Sequence, residues 1–399
     1  MMRRAWALAL GLACACDVYG PTLLLGDGGA DSAPEACPAK CGAACVDLQT
    51  DQNNCGACGQ TCETGCSGGL CTPTLLAGGL GAPHGLLVSG SELYVANHGS
   101  ITVQSMSKSD GTGLKIFATS QLFPDRLAAN ATELFWTADA NVSSDPGGSI
   151  DFEAFSQAFC NVQSQSTFCY LGRNLPSPYG IAVQGNTMFV TTLDATNNGP
   201  AGCAGKWTSS VLACPIDTGC AVMSCTGSGG PTVLASGQTQ LAGIAADATN
   251  LYWADSGAHV VRFCPQPSCT GGPQTFAQIA GMPFDVVSDG KHVYFTDRTG
   301  GNLYTCPTTG CGNAPTVLAS GLTDPLLVAA DASAVYVTEY AGGAVARCDL
   351  PSCSGGAVTI ATKLKAPYGI ALDASYVYWA EEGTQGVAST DGSVSKLKR

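Results

Sequence analysis

The chain is short of the groups that ordinarily carry chemistry: 12% of its residues are charged and four of its 399 are histidine. Its 17 lysines and arginines face 30 aspartates and glutamates, a formal net charge of −13, and the basic residues form no cluster. Such a surface repels phosphate backbones, so nucleic acid is excluded as a partner. No apolar run is long enough to cross a bilayer as a mature helix. There is no nucleophile, histidine and carboxylate order, no glycine-rich phosphate loop and no metal-ligand spacing. His84, His98, His259 and His292 form no spaced pair, so a multi-histidine metal site is not expected.

What the chain has in quantity is glycine (51 residues), cysteine (22 residues) and repetition. Thirteen residues, GIAADATNLYWAD from Gly243 to Asp255, recur as GLLVSGSELYVAN (85–97), RLAANATELFWTA (126–138), GIAVQGNTMFVTT (180–192), DVVSDGKHVYFTD (285–297), LVAADASAVYVTE (327–339) and GIALDASYVYWAE (369–381). The copies start 41, 54, 63, 42, 42 and 42 residues apart. Each is a short apolar run, a turn such as DAT or DGK, and a β-branched and aromatic run, which is a hairpin signal. A third strand such as VVRFC (260–264) or GAVARC (343–348) follows, then a fourth such as PTVLASG (315–321). Four strands per unit of this length describe a propeller blade. One such sheet cannot bury both faces alone, so the blades must close into a ring.

The expected fold is therefore all-β: a seven-bladed β-propeller of four-stranded blades over residues 72–399, preceded by a small disulfide-rich module. The segment PTLLAGGLGAPHG (73–85) matches PTVLASGLTDPL (315–326), so an N-terminal outer strand is expected to complete the last blade. It would lie beside GVASTD (386–391), with SVSKLKR (393–399) competing for the same edge.

The motifs Tyr252-Trp253-Ala254-Asp255, Tyr294-Phe295-Thr296-Asp297 and Tyr378-Trp379-Ala380-Glu381 resemble the YWTD repeats of low-density lipoprotein receptor propellers and, more loosely, NHL-type repeats. The resemblance covers residues 73–399 and implies that the aromatic and acidic positions hold adjacent blades together. Those propellers have six blades where seven copies occur here, so receptor function is not implied. Asp255, Asp297, Glu339 and Glu381 share one repeat column and are expected to brace blades. Asp247, Asp289, Asp331 and Asp373 fall in the hairpin turn, where a carboxylate caps backbone N–H groups.

The first sixteen residues, MMRRAWALALGLACAC, carry Arg3 and Arg4 before a short apolar stretch, the pattern of an export signal. Cys14 or Cys16 resembles the acylated cysteine of bacterial lipoproteins. Residues 17–36 then read as a flexible tether. Eight cysteines between Cys37 and Cys71 form a disulfide framework of open connectivity. The run CVDLQTDQNNCGACGQTC resembles the stigma-specific cysteine-rich family, which implies a secreted module. Zinc at Cys55 and Cys58 would need a second pair of suitable spacing. In the propeller, Cys264–Cys269, Cys306–Cys311 and Cys348–Cys353 are expected to staple the loop between third and fourth strands. Cys160–Cys169, Cys214–Cys220 and Cys203–Cys225 are expected pairs in the second and third blades. Those two blades also carry insertions, from Asp139 to Phe155 and from Leu193 to Trp207, on one face of the disc, while 214–225 adds to the opposite face.

Inner-strand starts and second-strand ends share one face, so the chain places His84, His98, Asp125, Arg126, Tyr179, Phe284, Tyr368 and Glu381 as a candidate ligand-binding set. The leading expectation is an exported, lipid-anchored, non-enzymatic binding or scaffold protein, monomeric and without cofactor. It would sit at the outer membrane or cell surface, or else be periplasmic or secreted, and face a protein, glycan or small molecule. The alternative resembles the propeller lyases and lactonases: His84, with His98, would be the catalytic histidine, and Asp125 and Glu381 would hold calcium or magnesium. A purely structural envelope protein is the third reading.

Overall fold

A computed structural model describes residues 37–138, 148–154, 169–175, 177–193, 209–216 and 231–399. Alternating apolar and polar residues between turn signals fold these segments into antiparallel strands, and seven four-stranded sheets are present among the described residues. Six consist of four strands consecutive in the chain. The first of these runs Pro83–Ser89, Glu92–Asn97, Thr102–Ser107 and Lys115–Ala118. The remaining sheet takes Pro367–Leu372, Tyr376–Glu381 and Gly392–Lys398 from the C-terminal end and is completed by Thr74–Leu80 from the N-terminal side.

The inner strands are Pro83–Ser89, Pro124–Ala129, Pro178–Gln184, Leu241–Ala246, Pro283–Ser288, Pro325–Ala330 and Pro367–Leu372. Each packs against the next around an axis, and the last returns to the first. No single core exists; the apolar clusters lie between neighbouring blades. Trp253 and Leu251 of one blade pack on Phe189 and Val211 of the blade before. Trp379 packs with Tyr336 of its predecessor, and Leu93 and Val95 pack with Tyr378 and Val394 across the ring closure. These aromatic side chains are fully buried, each worth roughly 1.5–3 kcal/mol of transfer free energy. The repeat's aromatic column is thus interface.

The acidic column braces within each blade and not, as expected, between adjacent blades. Asp297 accepts from the N–H groups of Met282 and Gly300, both at 2.8 Å, tying the end of its second strand to the connection that enters its own blade. Asp255 does the same with Thr239 and adds Arg262 at 3.0 Å. The turn aspartates cap as expected: Asp289 accepts from Lys291 and His292 N–H at 2.8 and 2.6 Å, and Asp373 from Ser375 and Tyr376 N–H, both at 2.8 Å.

A threonine column next to the acids links blades in a second way. Inner strands break register near their start, as between Pro325 and Val328. At that break Leu327 N–H donates to Thr338 Oγ1 at 3.1 Å, and the Thr338 hydroxyl donates to the Tyr368 carbonyl of the next blade at 3.0 Å. Thr137, Thr191 and Thr296 repeat this relay. Where Gly369 passes the inner strand of the first blade across the ring closure, a Cβ would lie 2.1 Å from the His84 carbonyl, so only glycine fits.

Three expectations are corrected here. GVASTD forms no strand: Gly386–Ala388 is a 3-10 turn, because the third strand is Gly392–Lys398. Val394 pairs with Ala77, so the C-terminal segment sits inside the closing blade and does not compete for its edge. The second-blade insertion is shorter than expected, since Gly148–Ala154 is the third strand of that blade, paired with Glu133–Ala138.

The expected bridges Cys264–Cys269, Cys306–Cys311 and Cys348–Cys353 are present. Cys214 is disulfide-bonded, while Cys160, Cys203, Cys220 and Cys225 lie outside the described residues, as do the signal segment, the tether and the 193–207 insertion beyond Leu193. In the N-terminal module the connectivity is Cys37–Cys45, Cys41–Cys58, Cys55–Cys66 and Cys62–Cys71. Oxidising all eight thiols removes zinc ligation from Cys55 and Cys58. The module meets the closing blade through Glu63, which accepts from Tyr376 OH at 3.0 Å and pairs with Lys398 at 3.2 Å. No helix among the described residues is long and apolar enough to cross a membrane.

Candidate functional site

Because each inner strand opens at the same mouth of the central channel, residues at equivalent strand starts converge there although they are distant in sequence. His84 lies second in its strand, as do Asp125, Tyr179 and Tyr368 in theirs; Arg126 and Asp285 lie third. His84 is 5% exposed. Its ring stacks on Tyr368 at 4.0 Å and 4° and on His98 at 4.3 Å and 23°. In its plane, Nε2 is 3.1 Å from Glu382 Oε1 and Nδ1 is 3.5 Å from Asp125 Oδ1.

Burial opposes charge on the His84 ring, but the facing carboxylate of Asp125 and then that of Glu382 outweigh it and raise its pKa to about 9. His84 is therefore an imidazolium at neutral pH. Burial, followed by that neighbouring charge, pushes His98 down to about 4, so the second ring of the stack is neutral. The carboxylates charge His84, while burial and the charge of His84 keep His98 neutral against the pull of the same carboxylates. Burial also presses on Asp125 and Glu382, yet His84 holds both below the usual carboxylate range. Glu382 is fixed further by a hydrogen bond from the Tyr340 hydroxyl.

The second half of the cluster is built on Arg126. Its Nη2 donates to Tyr179 OH at 3.0 Å, and the Tyr179 and Tyr368 hydroxyls meet at 3.1 Å. Its Nη1 lies 3.7 Å from Asp285 Oδ1, and burial raises the Asp285 pKa in spite of that charge. Burial likewise pushes both phenols up, so they remain protonated donors. The channel holds a cavity of about 150 Å³, lined from all seven inner strands, in which Arg126 and Asp285 are the charged lining residues. The mouth is a plug in which two cations, His84 and Arg126, meet three carboxylates, Asp125, Asp285 and Glu382, and not an open acidic funnel. Half-buried groups ring it: His98, Phe123 at 5.0 Å from His98, Phe284 at 5.9 Å from Tyr179, and Arg298 at 5.1 Å over Phe284. Arg298 is itself held by Asp324 at 2.6 and 3.3 Å.

The structure thus unites His84, His98, Asp125, Arg126, Tyr179, Phe284 and Tyr368, and leaves out Glu381. Successive strand residues point to opposite faces. Glu381 turns away to accept from Lys365 N–H at 2.8 Å and Ser393 Oγ at 3.1 Å, a bracing role, while Glu382 faces His84. The ion site expected from Asp125 with Glu381 is therefore not formed. His84 is also not a free base, because both its nitrogens face carboxylates. Sequence reasoning missed Glu382, Asp285, Arg298 and Tyr340. The doubled acid Glu381-Glu382, unique among the repeat ends, was the available signal for the first.

No protein-family model matches the chain, and no curated protein matches it. Among solved structures it is similar to virginiamycin B lyase from Staphylococcus aureus, with 15% identity, a TM-score of 0.58, and 82% of this chain and 97% of that chain covered. A streptogramin B lyase gives 13% identity and a TM-score of 0.58 over 82% of this chain and 97% of its own. The computationally designed Ika8 protein gives 11% and 0.53 over 82% and 99%. The fold is a β-propeller. Identities this low show the propeller alone and carry no activity across.

Proposed function

We propose that this propeller is an exported, extracytoplasmic binding protein that engages its ligand at the mouth ringed by His98, Phe123, Phe284, Arg298 and Tyr340. The seven-bladed, YWTD-like repeat serves as scaffold, and Cys14 or Cys16 carries a lipid anchor ahead of the tether. The observation that supports binding over catalysis is the plug: the buried histidine lies between two carboxylates and is already protonated. A site so arranged has no base to offer from His84, which weighs against the lyase-like alternative. The oxidising setting is supported by the disulfides of both the module and the blades. The rim presents flat aromatic faces beside the paired charges of Arg298 and Asp324, which suits a glycan or other polyhydroxylated molecule with one apolar face.

The test is capture from intact cells and on a glycan array with the wild-type protein and with Phe284→Ala combined with Arg298→Ala. Loss of the captured set in the double variant, with an unchanged thermal melt, supports the reading. Recovery of the same set by both proteins would place the binding face elsewhere.

A further inference from the structure

Four buried side-chain atoms at the mouth make no hydrogen bond: His84 Nδ1, His98 Nδ1, Asp125 Oδ1 and Arg126 Nε, the first and third facing each other at 3.5 Å. His84, His98 and Asp125 each offer one donor atom, a ring nitrogen or a carboxylate oxygen, and these donor atoms lie within 4.8 Å of one another. We propose that they form a transition-metal site, in which a divalent ion such as zinc is held by two imidazole nitrogens and one carboxylate. The inference is independent of which ligand the rim binds.

The chemistry of the donors selects the ion. Two nitrogens and one oxygen suit zinc, cobalt or nickel, whereas calcium and magnesium require shells of oxygen. His84 is prepared for the role by its other side. Its Nε2 faces Glu382 at 3.1 Å, and Glu382 is held in turn by Tyr340, so the Nε2 proton is fixed and Nδ1, which faces Asp125 at 3.5 Å, is the nitrogen left to give up its proton and ligate. A carboxylate behind a ligating histidine is the usual device for fixing its tautomer and orientation. The ion would take the place of the proton that otherwise lies between His84 and Asp125.

The residues also differ in how free they are to adjust. His84 and Asp125 are buried in the blade walls, while His98 is half-buried and is the first residue of the connection after the second strand. Ligand atoms around a tetrahedral zinc lie roughly 3.3 Å apart, and rotation of the His98 ring closes the remaining distance. Three protein ligands leave one position open, directed to the rim. Neither His259 nor His292 belongs to this cluster: His259 is bonded to the Gly281 carbonyl at 2.6 Å, and His292 pairs with Asp289 at 3.8 Å.

The experiment is zinc titration by calorimetry on the purified chain after chelator treatment and dialysis, with cobalt(II) absorption as a readout of nitrogen ligation. The expected result is one equivalent of zinc with micromolar or tighter affinity. His98→Ala should weaken it at least about tenfold, and Glu382→Gln by about 10–100-fold through the lost orientation of His84. His259→Ala and His292→Ala should leave it unchanged, and calcium or magnesium should not compete. Asp125→Asn sits in the buried layer, so His98→Ala, at a half-buried position, carries the test if that variant fails to fold. Absence of saturable zinc binding overturns the proposal, as does wild-type affinity in His98→Ala or displacement of zinc by calcium.

Discussion

Raising the pH should loosen this protein through one residue, His84, before the tyrosines packed around it ionise. His84 titrates near 6.5 when unfolded and at about 9 in the folded chain, a gap of roughly 2.5 pH units, or about 3 kcal/mol at 1.36 kcal/mol per unit. Its folded pKa is raised, so the folded state binds the proton more tightly. The stabilisation is complete below pH 6.5 and is lost as the pH rises through 9. Across the middle of that window the slope approaches about 1.4 kcal/mol per pH unit, the value for one proton. His98 acts in the opposite sense. Its folded pKa is depressed to about 4, so its contribution is present above 6.5 and is lost as the pH falls from there through 4. The carboxylates facing His84 are ionised throughout the alkaline window, and the tyrosines around it are shifted upward, beyond it. Stability should therefore peak near pH 6.5. Urea unfolding at half-unit intervals from pH 5 to 9.5, paired with imidazole NMR titration, measures both limbs. A flat profile between pH 7 and 9, or an alkaline fall that persists in His84→Gln, would refute the charge arrangement described for the plug.

Two further substitutions separate site from scaffold. Glu382→Gln should bring the His84 pKa down toward its ordinary value, whereas Glu381→Gln should leave that titration where it is; NMR distinguishes the two, and equal effects would reverse the assignment of which acid faces the channel. Thr338→Val keeps the shape of the side chain but strands the buried Leu327 N–H and Tyr368 carbonyl, at a cost of about 1–3 kcal/mol. A denaturation midpoint unchanged from wild type would show that the threonine relay does not hold the blades.

Much of the architecture is local and so was legible in the repeat. Hairpin turns are set by residues such as Asp247 and Asp289, whose side chains bond within three residues. The aromatic column recurs because every blade meets its neighbour in the same way, the acidic column because blades tie down their own entry connection in the same way, and cysteines five residues apart can only bridge a loop. The ring closure was half legible: the N-terminal strand was expected in the last blade, but its partner turned out to be Gly392–Lys398, because pairing across 300 residues leaves no short-range signal.

The site was less legible for the same reason. Its place could be named, since strand order fixes which loops share a mouth, and seven of the eight expected residues do meet there. Which way a side chain points at a strand end depends on register and on the turn that follows. That is how Glu382 and not Glu381 reached His84. The protonation states were hidden altogether. Sequence alone determined that His84 and His98 exist on one face; only the closed ring, by burying them against Asp125 and Glu382, decided that one is charged, the other neutral, and the channel mouth sealed.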